Sequence, residues 1–527
     1  MSKRYVTVNK SGGRIFNAKR NLVYGLLNVI VSLILPFFTR TVLVYRFGVD
    51  YLGLNSLFGS VISVLSLMEL GFGTAVVYSM YKPASEGDID LLCAYLSYYR
   101  KIYRGIGFII LVIGLILMPF LNILIHDKVI PGGLNLRICY MIFLGDTVIS
   151  YLLFGYLTAI PMSFQRRDIL SKINIFISII QSIVKILLLI TSKNFYLYLI
   201  SIPFITIFRN MFTAYIVKNK YPDLECRGMI SSGQKHELNR KVYGLLIENI
   251  TSVSRNSIDT LCISAFIGFT INGIYNNYYY IMTSIIAFST IVLNSMMAGV
   301  GNSIAVESED KNYIDMRLFD FIYTAFAGWS TVCLLCLYQP FIISWLGKKM
   351  ILEMPVVFGL CGYYYILKSG DIRWVYQEGR GLWYESRFIM IGEALVNIVL
   401  NILLCKIFGV FGIVVATAIS VLITNFIFCP ELLFKLYFKN GKLKEYLKDH
   451  FLYACTMMIS VIICWFGCEK ILPISMVDHR RIGDCFLCLI GRLILCTFAS
   501  VLVFWFCWCR SERYSKAREW IKEMIKI

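Results

Sequence analysis

Histidine is almost missing from this chain, with four in 527 residues, and nowhere is there a polar stretch long enough to fold as a soluble domain. The first scarcity speaks against a zinc centre: Cys333/Cys336 and Cys485/Cys488 have CxxC spacing, but nothing in the sequence completes either pair. The second leaves no room for a catalytic domain. Asp88-Ile-Asp90 has the look of a glycosyltransferase metal motif, yet no nucleotide-binding domain surrounds it. Leu70-Gly71-Phe72-Gly73 and Ala298-Gly299-Val300-Gly301 are glycine-rich but follow no strand and carry no Lys-Ser/Thr, so they are not phosphate loops; close helix packing or a hinge fits them better. Acidic residues are also few, 32 against 51 basic, for a net charge of +19. That surplus lies in short loops rather than on a soluble domain, which excludes a nucleic-acid partner. No cleavable signal is expected: the basic start (Lys3, Arg4, Lys10, Arg14, Lys19, Arg20) runs into a full-length apolar stretch without a small-residue cleavage site.

What the chain has in abundance is apolar sequence. It is 58% hydrophobic with mean hydropathy +0.69, against about 45–50% apolar in soluble proteins. The excess falls in repeated runs long enough to cross hydrocarbon as helices, and the runs are continuous, not alternating, which excludes a barrel. The expected fold is an all-α polytopic membrane protein with about 14 spans. Their approximate bounds are 22–46, 52–80, 102–125, 137–160, 173–192, 195–217, 243–267, 274–306, 317–345, 355–378, 386–408, 411–437, 450–470 and 486–508. Gly409-Val-Phe-Gly412 is expected to be a tight turn between two of them. Most of the 17 cysteines sit inside these runs, as packing residues. Roughly 34 Lys and Arg fall in loops on the side of the termini and about 10 on the other, which places both termini in the cytoplasm. The tail from Tyr514 to Ile527 is expected to be an amphipathic helix on an anionic leaflet.

The sequence repeats. Tyr24-Gly-Leu-Leu recurs at 243–246, Phe47-Gly48-x4-Gly53 lines up with Ile267-Gly268-x4-Gly273, and Ser85-Glu86-Gly87-Asp88 resembles Ser308-Glu309-Asp310. The matches are in order at a spacing of about 220 residues, which predicts two parallel six-helix bundles. The expected division is an N-lobe at 1–220, a cytoplasmic linker at 221–242, a C-lobe at 243–437, and two further helices with a basic tail at 438–527.

Ionisable residues inside spans are costly and usually face protein or a cavity. Here they are Arg40, Glu69, Asp146, Lys185, Arg209, Glu248, Arg255, Asp259, Lys368, Asp371, Arg373, Glu393 and Arg492. Glu248, Ser252, Arg255, Asn256 and Asp259 share one helical face. Arg255 with Asp259, and Lys368 with Asp371, have the spacing of ion pairs on one helix. The surplus is cationic and suits an anionic substrate, since the arginine fork binds phosphate in bidentate fashion. Arg40, Lys185, Arg209, Arg255 and Arg373 are the candidate substrate-binding cations. Glu69, Glu248 and Asp259 are the candidate ion-coupling acids.

Asn21-Leu-Val-Tyr-Gly, Phe47-Gly-Val-Asp-Tyr-Leu-Gly-Leu-Asn-Ser-Leu-Phe, Met68-Glu-Leu-Gly-Phe-Gly and Phe408-Gly-Val-Phe-Gly-Ile resemble polysaccharide-biosynthesis transporters of the Wzx type, in the multidrug/oligosaccharidyl-lipid/polysaccharide (MOP) exporter superfamily. The resemblance implies two six-helix lobes around a cavity with cavity arginines, rocking alternating access, and an undecaprenyl-pyrophosphate-linked glycan as substrate. It implies a bacterial cytoplasmic (inner) membrane location and a pathway to O-antigen, capsule or exopolysaccharide. In related lipid II flippases two extra helices form a lipid-tail groove, the part that spans 13 and 14 would play. No cofactor and no resident metal are expected. The partners are membrane lipid and a coupling H+ or Na+, with a monomer as the functional unit. A cation-coupled multidrug exporter of the same superfamily is the alternative. It is disfavoured because span one carries Arg40 and no acid. A membrane O-antigen polymerase or glycosyltransferase is disfavoured by the short outside loops. Arg255→Ala is expected to abolish export without changing membrane abundance, as measured by complementation of a null strain.

Overall fold

The computed structural model describes residues 12–69, 71–125, 130–439, 442–477 and 482–525. Among them there is no strand, and the chain is an all-α polytopic membrane protein. By its internal contacts it divides into Met1–Gly273 and Ile274–Ile527, so the helix of the expected seventh span is grouped with the first six.

The first unit holds α1 (Gly12–Arg46), α2 (Val49–Leu65), α3 (Phe72–Glu86), α4 (Ile89–Leu117), α5 (Leu136–Leu152), α6 (Ala159–Ser163), α7 (Arg167–Thr191), α8 (Phe195–Lys220) and α9 (Ser232–Phe266). Their surfaces are inverted relative to a soluble bundle. On α1 the residues Leu22, Leu26, Ile30, Ile34 and Phe38, four apart, are exposed as a lipid-facing stripe. α7 turns Phe176, Ile179, Ile183, Leu187 and Ile190 outward, and packs along α1. At one end these two helices are fastened by Asn21: its Oδ1 accepts from the Asp168 N–H at 2.9 Å and its amide donates to the Gln165 carbonyl at 2.9 Å. The fully buried Asp168 carboxylate takes Arg20 and Arg166, each at 2.9 Å.

α10 (Phe269–Val306) begins in the first unit and runs on into the second, which continues with α11 (Glu309–Leu346), α12 (Met354–Ser369), α13 (Asp371–Gly379), α14 (Trp383–Ile423), α15 (Cys429–Leu433), α16 (Leu443–Ile471), α17 (Ile482–Trp508) and α18 (Glu512–Ile525). α14 is really a hairpin. Gly409 is non-helical (φ 57°, ψ −135°), and Asn397 on one arm donates to Thr417 on the other at 3.0 Å. The turn expected at Gly409 is therefore present. α11, α16 and α17 pack on one another. At their core Arg492, with no exposed surface, donates to the carbonyls of Leu472 and Cys336 at 2.9 Å and to Glu469 at 2.9 Å. The tail helix α18 is amphipathic as expected, but it is also pinned to protein: Arg513 binds Asp449 at 2.7 Å and Trp520 packs edge-on against Phe319. Outside the spans, the Lys442 ammonium bonds Asp310 and holds its carboxyl below the usual range.

The expected spans, about 14, do not all appear as single unbroken helices. Among the described residues nine helices are long and apolar enough to cross a membrane alone, or ten if α5 and the segment Gly155–Ser163, bent by 56°, make one span. The shortfall has physical reasons. Span two is broken: α2 ends in a 3-10 turn and Gly71 is left-handed at φ 97°. Span ten is interrupted at Gly370. Of α9 only Ser257–Phe266 counts among the described residues as an apolar helix, too short to cross alone, and the hairpin at Gly409 merges two spans into one stretch, Trp383–Phe438. The glycine patches also differ. Gly73 does give close packing, since a methyl there would stand 2.8 Å from the Tyr99 hydroxyl, whereas Gly299 and Gly301 have open space around them in an unbroken α10.

The repeat is realised in helix bounds. α1 and α9 each span 35 residues, shifted by 220; α2–α3 and α10 cover 49–86 and 269–306; α4 and α11 begin at Ile89 and Glu309, behind the caps Asp88 and Ser308. The Tyr-Gly-Leu-Leu match, spaced by 219, is one residue out of this register. Within the first unit the equivalent segments 49–53 and 269–273 meet with their roles exchanged, as in an isologous contact. A methyl on Gly53 would lie 2.0 Å from the Phe269 carbonyl oxygen, and one on Gly273 2.3 Å from that of Val49. Thr270 donates to Asp50, its counterpart, and Asn272 to the Gly53 carbonyl at 3.0 Å. Gly53→Ala and Gly273→Ala are each expected to cost roughly 3 kcal/mol, seen as loss of monodisperse protein in detergent. Gly301→Ala should leave the elution profile unchanged.

Candidate functional site

The polar faces of α1 and α7 meet the start of α8 around one cavity. α1 contributes Ser32, Pro36, Thr39 and Arg40; α2 adds Asn55; α7 adds Ser178, Gln181, Ser182 and Lys185 at spacings of three and four; α8 adds Tyr198. The cavity measures about 300 Å³, at the lower end of small-molecule sites. Arg40 and Lys185 both line it and both are half-buried. Lys185 Nζ stands 5.6 Å from the centre of the Tyr198 ring, a cation–π contact. Arg209 lies behind the wall and donates through Nη2 to Gln181 Oε1 at 3.1 Å. Asp146 sits within electrostatic range of Lys185 and Arg209 and bonds the Thr206 hydroxyl. Among the described residues at this site there are three cations, Arg40, Lys185 and Arg209, and one carboxylate, Asp146. It lies near the ends of α1 and α7 at Arg46 and Thr191, away from the Asp168 cluster.

Three of the five candidate cations are thus brought together: Arg40, Lys185 and Arg209. The other two are elsewhere. Arg255 is half-buried on α9 and does not line this cavity. Arg373 belongs to the second unit, is buried at 3% exposure, and donates to Gln377 at 2.6 Å and Asn425 at 2.9 Å. Among the acids, Asp259 is buried on α9, and the Glu248 side chain lies outside the described residues. Glu69 stands in the 3-10 turn that breaks span two and accepts from the Tyr151 hydroxyl. Tyr103 also bonds it, and the Tyr99 ring packs against Tyr103 at 5.1 Å, tilted by 55°. Lys368 and Asp371 are paired at 2.5 Å, with Tyr323 donating to the same carboxylate at 2.6 Å.

Sequence reasoning missed three features. The Asp168 cluster needed only the observation that one acid lies among Arg166, Arg167 and Lys172. The second is a buried pair, His450 Nε2 to Asp320 Oδ2 at 2.9 Å; each residue sits at the edge of an apolar run and gives no signal alone. The third is an apolar cleft of about 250 Å³ in the second unit, between α11 (Thr324, Gly328, Trp329), α16 (Tyr453, Met457, Ser460) and α17 (Ser500, Phe504, Trp505).

Arg40→Gln and Lys185→Gln are expected to leave thermal unfolding in detergent unchanged while weakening the binding of a pyrophosphate probe about tenfold or more each. Arg373→Leu should behave in the opposite way, since it strands two buried amides; it is expected to cost about 2–3 kcal/mol of stability, read as a lower unfolding temperature.

No protein-family model matches the sequence, and no curated protein matches it. Solved structures match in fold. A structure described as lipid II flippase MurJ in an inward closed conformation aligns with TM-score 0.61 at 13% identity, covering 92% of this chain and 97% of that one. The Vibrio cholerae MATE transporter VcmN aligns with TM-score 0.58 at 11% identity over 80% of this chain and 99% of its own. An inward-facing multidrug resistance MATE family transporter of the MOP superfamily aligns with TM-score 0.56 at 10% identity over 77% and 92%. The chain has the fold of these MOP superfamily transporters.

Proposed function

We propose that this protein is a flippase for a lipid-linked, pyrophosphate-bearing oligosaccharide, of the Wzx type. The observation that carries the reading is the cationic cavity walled by Arg40 and Lys185 and backed by Arg209. Moving an ionised diphosphate through hydrocarbon costs tens of kcal/mol without a charged and polar path, and guanidinium with ammonium supplies one. The apolar cleft beside α16 and α17 gives an isoprenoid tail a protein surface to lie on while the headgroup crosses. Coverage supports the same reading: the likeness to the lipid II flippase extends over 92% of the chain, that to the two MATE transporters over 77–80%.

In this mechanism the headgroup enters from the cytoplasm, Arg40, Lys185 and Arg209 neutralise the diphosphate, and the lobes rock to open outward. Arg255 and Arg373 act as cavity cations only if conformational change exposes them. Glu69, Glu248 or Asp259 couples the return step to H+ or Na+. The protein resides in a bacterial cytoplasmic membrane with both termini inside and serves surface-polysaccharide assembly. The second reading, a cation-coupled drug exporter, draws on the MATE neighbours and on the phenol-held Glu69 in the first unit.

Depleting the protein and analysing membrane lipids separates the two. Accumulation of lipid-linked oligosaccharide on the cytoplasmic face is the expected result, and its composition names the substrate. Loss of drug resistance with no such accumulation would overturn the flippase reading.

A further inference from the structure

Cysteine was read from the sequence as packing material, and no CxxC pair there had a partner to complete a metal site. The fold supplies partners from far along the chain. Cys333 and Cys336 on α11, Cys464 and Cys468 on α16, and Cys496 on α17 converge in one layer of the second unit. Cys336, Cys468 and Cys496 have no more than 1% exposed surface each, and their three sulfurs all lie within 4.8 Å of one another. Cys468 Sγ and Cys496 Sγ are 3.7 Å apart. Three thiolates at about 2.3 Å from a common ion stand about 3.8–4.0 Å from each other, so the trio needs only a small contraction to close on one.

We propose that Cys336, Cys468 and Cys496 form a binding site for a thiophilic metal ion of the zinc class, which fastens α16 and α17 to α11. Thiolate sulfur selects soft and borderline ions over magnesium or calcium. Cys464, whose sulfur reaches the Cys496 carbonyl at 3.8 Å, borders the trio on the next turn of α16. Charge is accounted for as well. Three thiols that bind a divalent ion release three protons to solvent and leave a net charge of −1. The Arg492 guanidinium, donating to the Cys336 carbonyl at 2.9 Å, places a positive charge against the cluster. A metal here sits one layer along the same three helices from the apolar cleft, whose walls are Gly328 and Trp329, Met457 and Ser460, and Ser500. It would therefore fix the spacing of the helices that bound that cleft. This inference does not depend on the transport reading.

The test uses full-length protein purified in detergent, with Cd(II) as the probe and metal content of the untreated protein as a second readout. The expected result is about one ion per chain, with thiolate-to-metal charge-transfer absorption, affinity that rises with pH, and a higher unfolding temperature with Cd(II) than with chelator. Cys468→Ser and Cys496→Ser should each weaken binding by more than about 100-fold, beyond what loss of an outer-shell group does. Cys455→Ser and Cys507→Ser, at exposed thiols, should leave it unchanged. If the core variants are monodisperse and still bind Cd(II) like the parent, or if binding follows Cys455 and Cys507, the site does not exist. Absence of any charge-transfer band in the parent protein overturns it equally.

Discussion

A bare ion in hydrocarbon is too unfavourable for any helix to carry outward, so each charged side chain in these spans has to be met by protein or by a cavity. That constraint sorts the charges of this molecule into two kinds. Asp168, Lys368 with Asp371, Arg373 and Arg492 bond to neighbours, and His450 lies 2.9 Å from Asp320. They join helices: α1 to α7, α11 to α16, and α17 to both α11 and α16. Arg40, Lys185 and Arg209 gather at one cavity instead: Arg40 and Lys185 line it, Arg209 bonds Gln181 behind its wall, and Asp146 lies within electrostatic range of Lys185 and Arg209. The two kinds differ in their company rather than in their burial.

The helical class and the order of the spans were legible because lipid leaves so little choice: a continuous apolar run must become a helix. The turn at Gly409 and the x4-Gly repeat were legible for another reason. Only glycine lets two backbones approach as closely as Gly53 does Phe269 and Gly273 does Val49, so the residue type itself records the contact. Helix periodicity, by contrast, tells which face a residue is on and not what it faces. Arg373 and Arg40 look alike in sequence, yet the first does not line the cavity and bonds Gln377 and Asn425, while the second lines it. The break in span two was hidden as well. Gly71 and Gly299 stand in similar glycine-rich patches, but only the first is left-handed. The thiol layer was beyond reach of spacing arguments, since Cys336 lies 132 residues before Cys468 and 160 before Cys496, on a different helix from each.

The two units carry different chemistry. The first holds the cationic cavity and, at the helix break in span two, the phenol-held Glu69. The second holds the apolar cleft and the thiol layer on α11, α16 and α17. An amphiphile with an ionised headgroup and a long tail presents the same two demands, and no single surface can answer both: cations that attract a diphosphate also hold water, and water forbids the close apolar packing a tail requires. α11, α16 and α17 show how the apolar half can be kept open. They are tied at one level by Arg492 through the Leu472 and Cys336 carbonyls, and at the other end Trp508 donates to Thr456 at 3.1 Å. Between these ties Gly328 has no side chain to fill the gap, and a methyl there would meet only Met457, at an ordinary 3.6 Å. The apolar half is thus built as a gap between helices whose ends are joined by hydrogen bonds that lipid cannot replace.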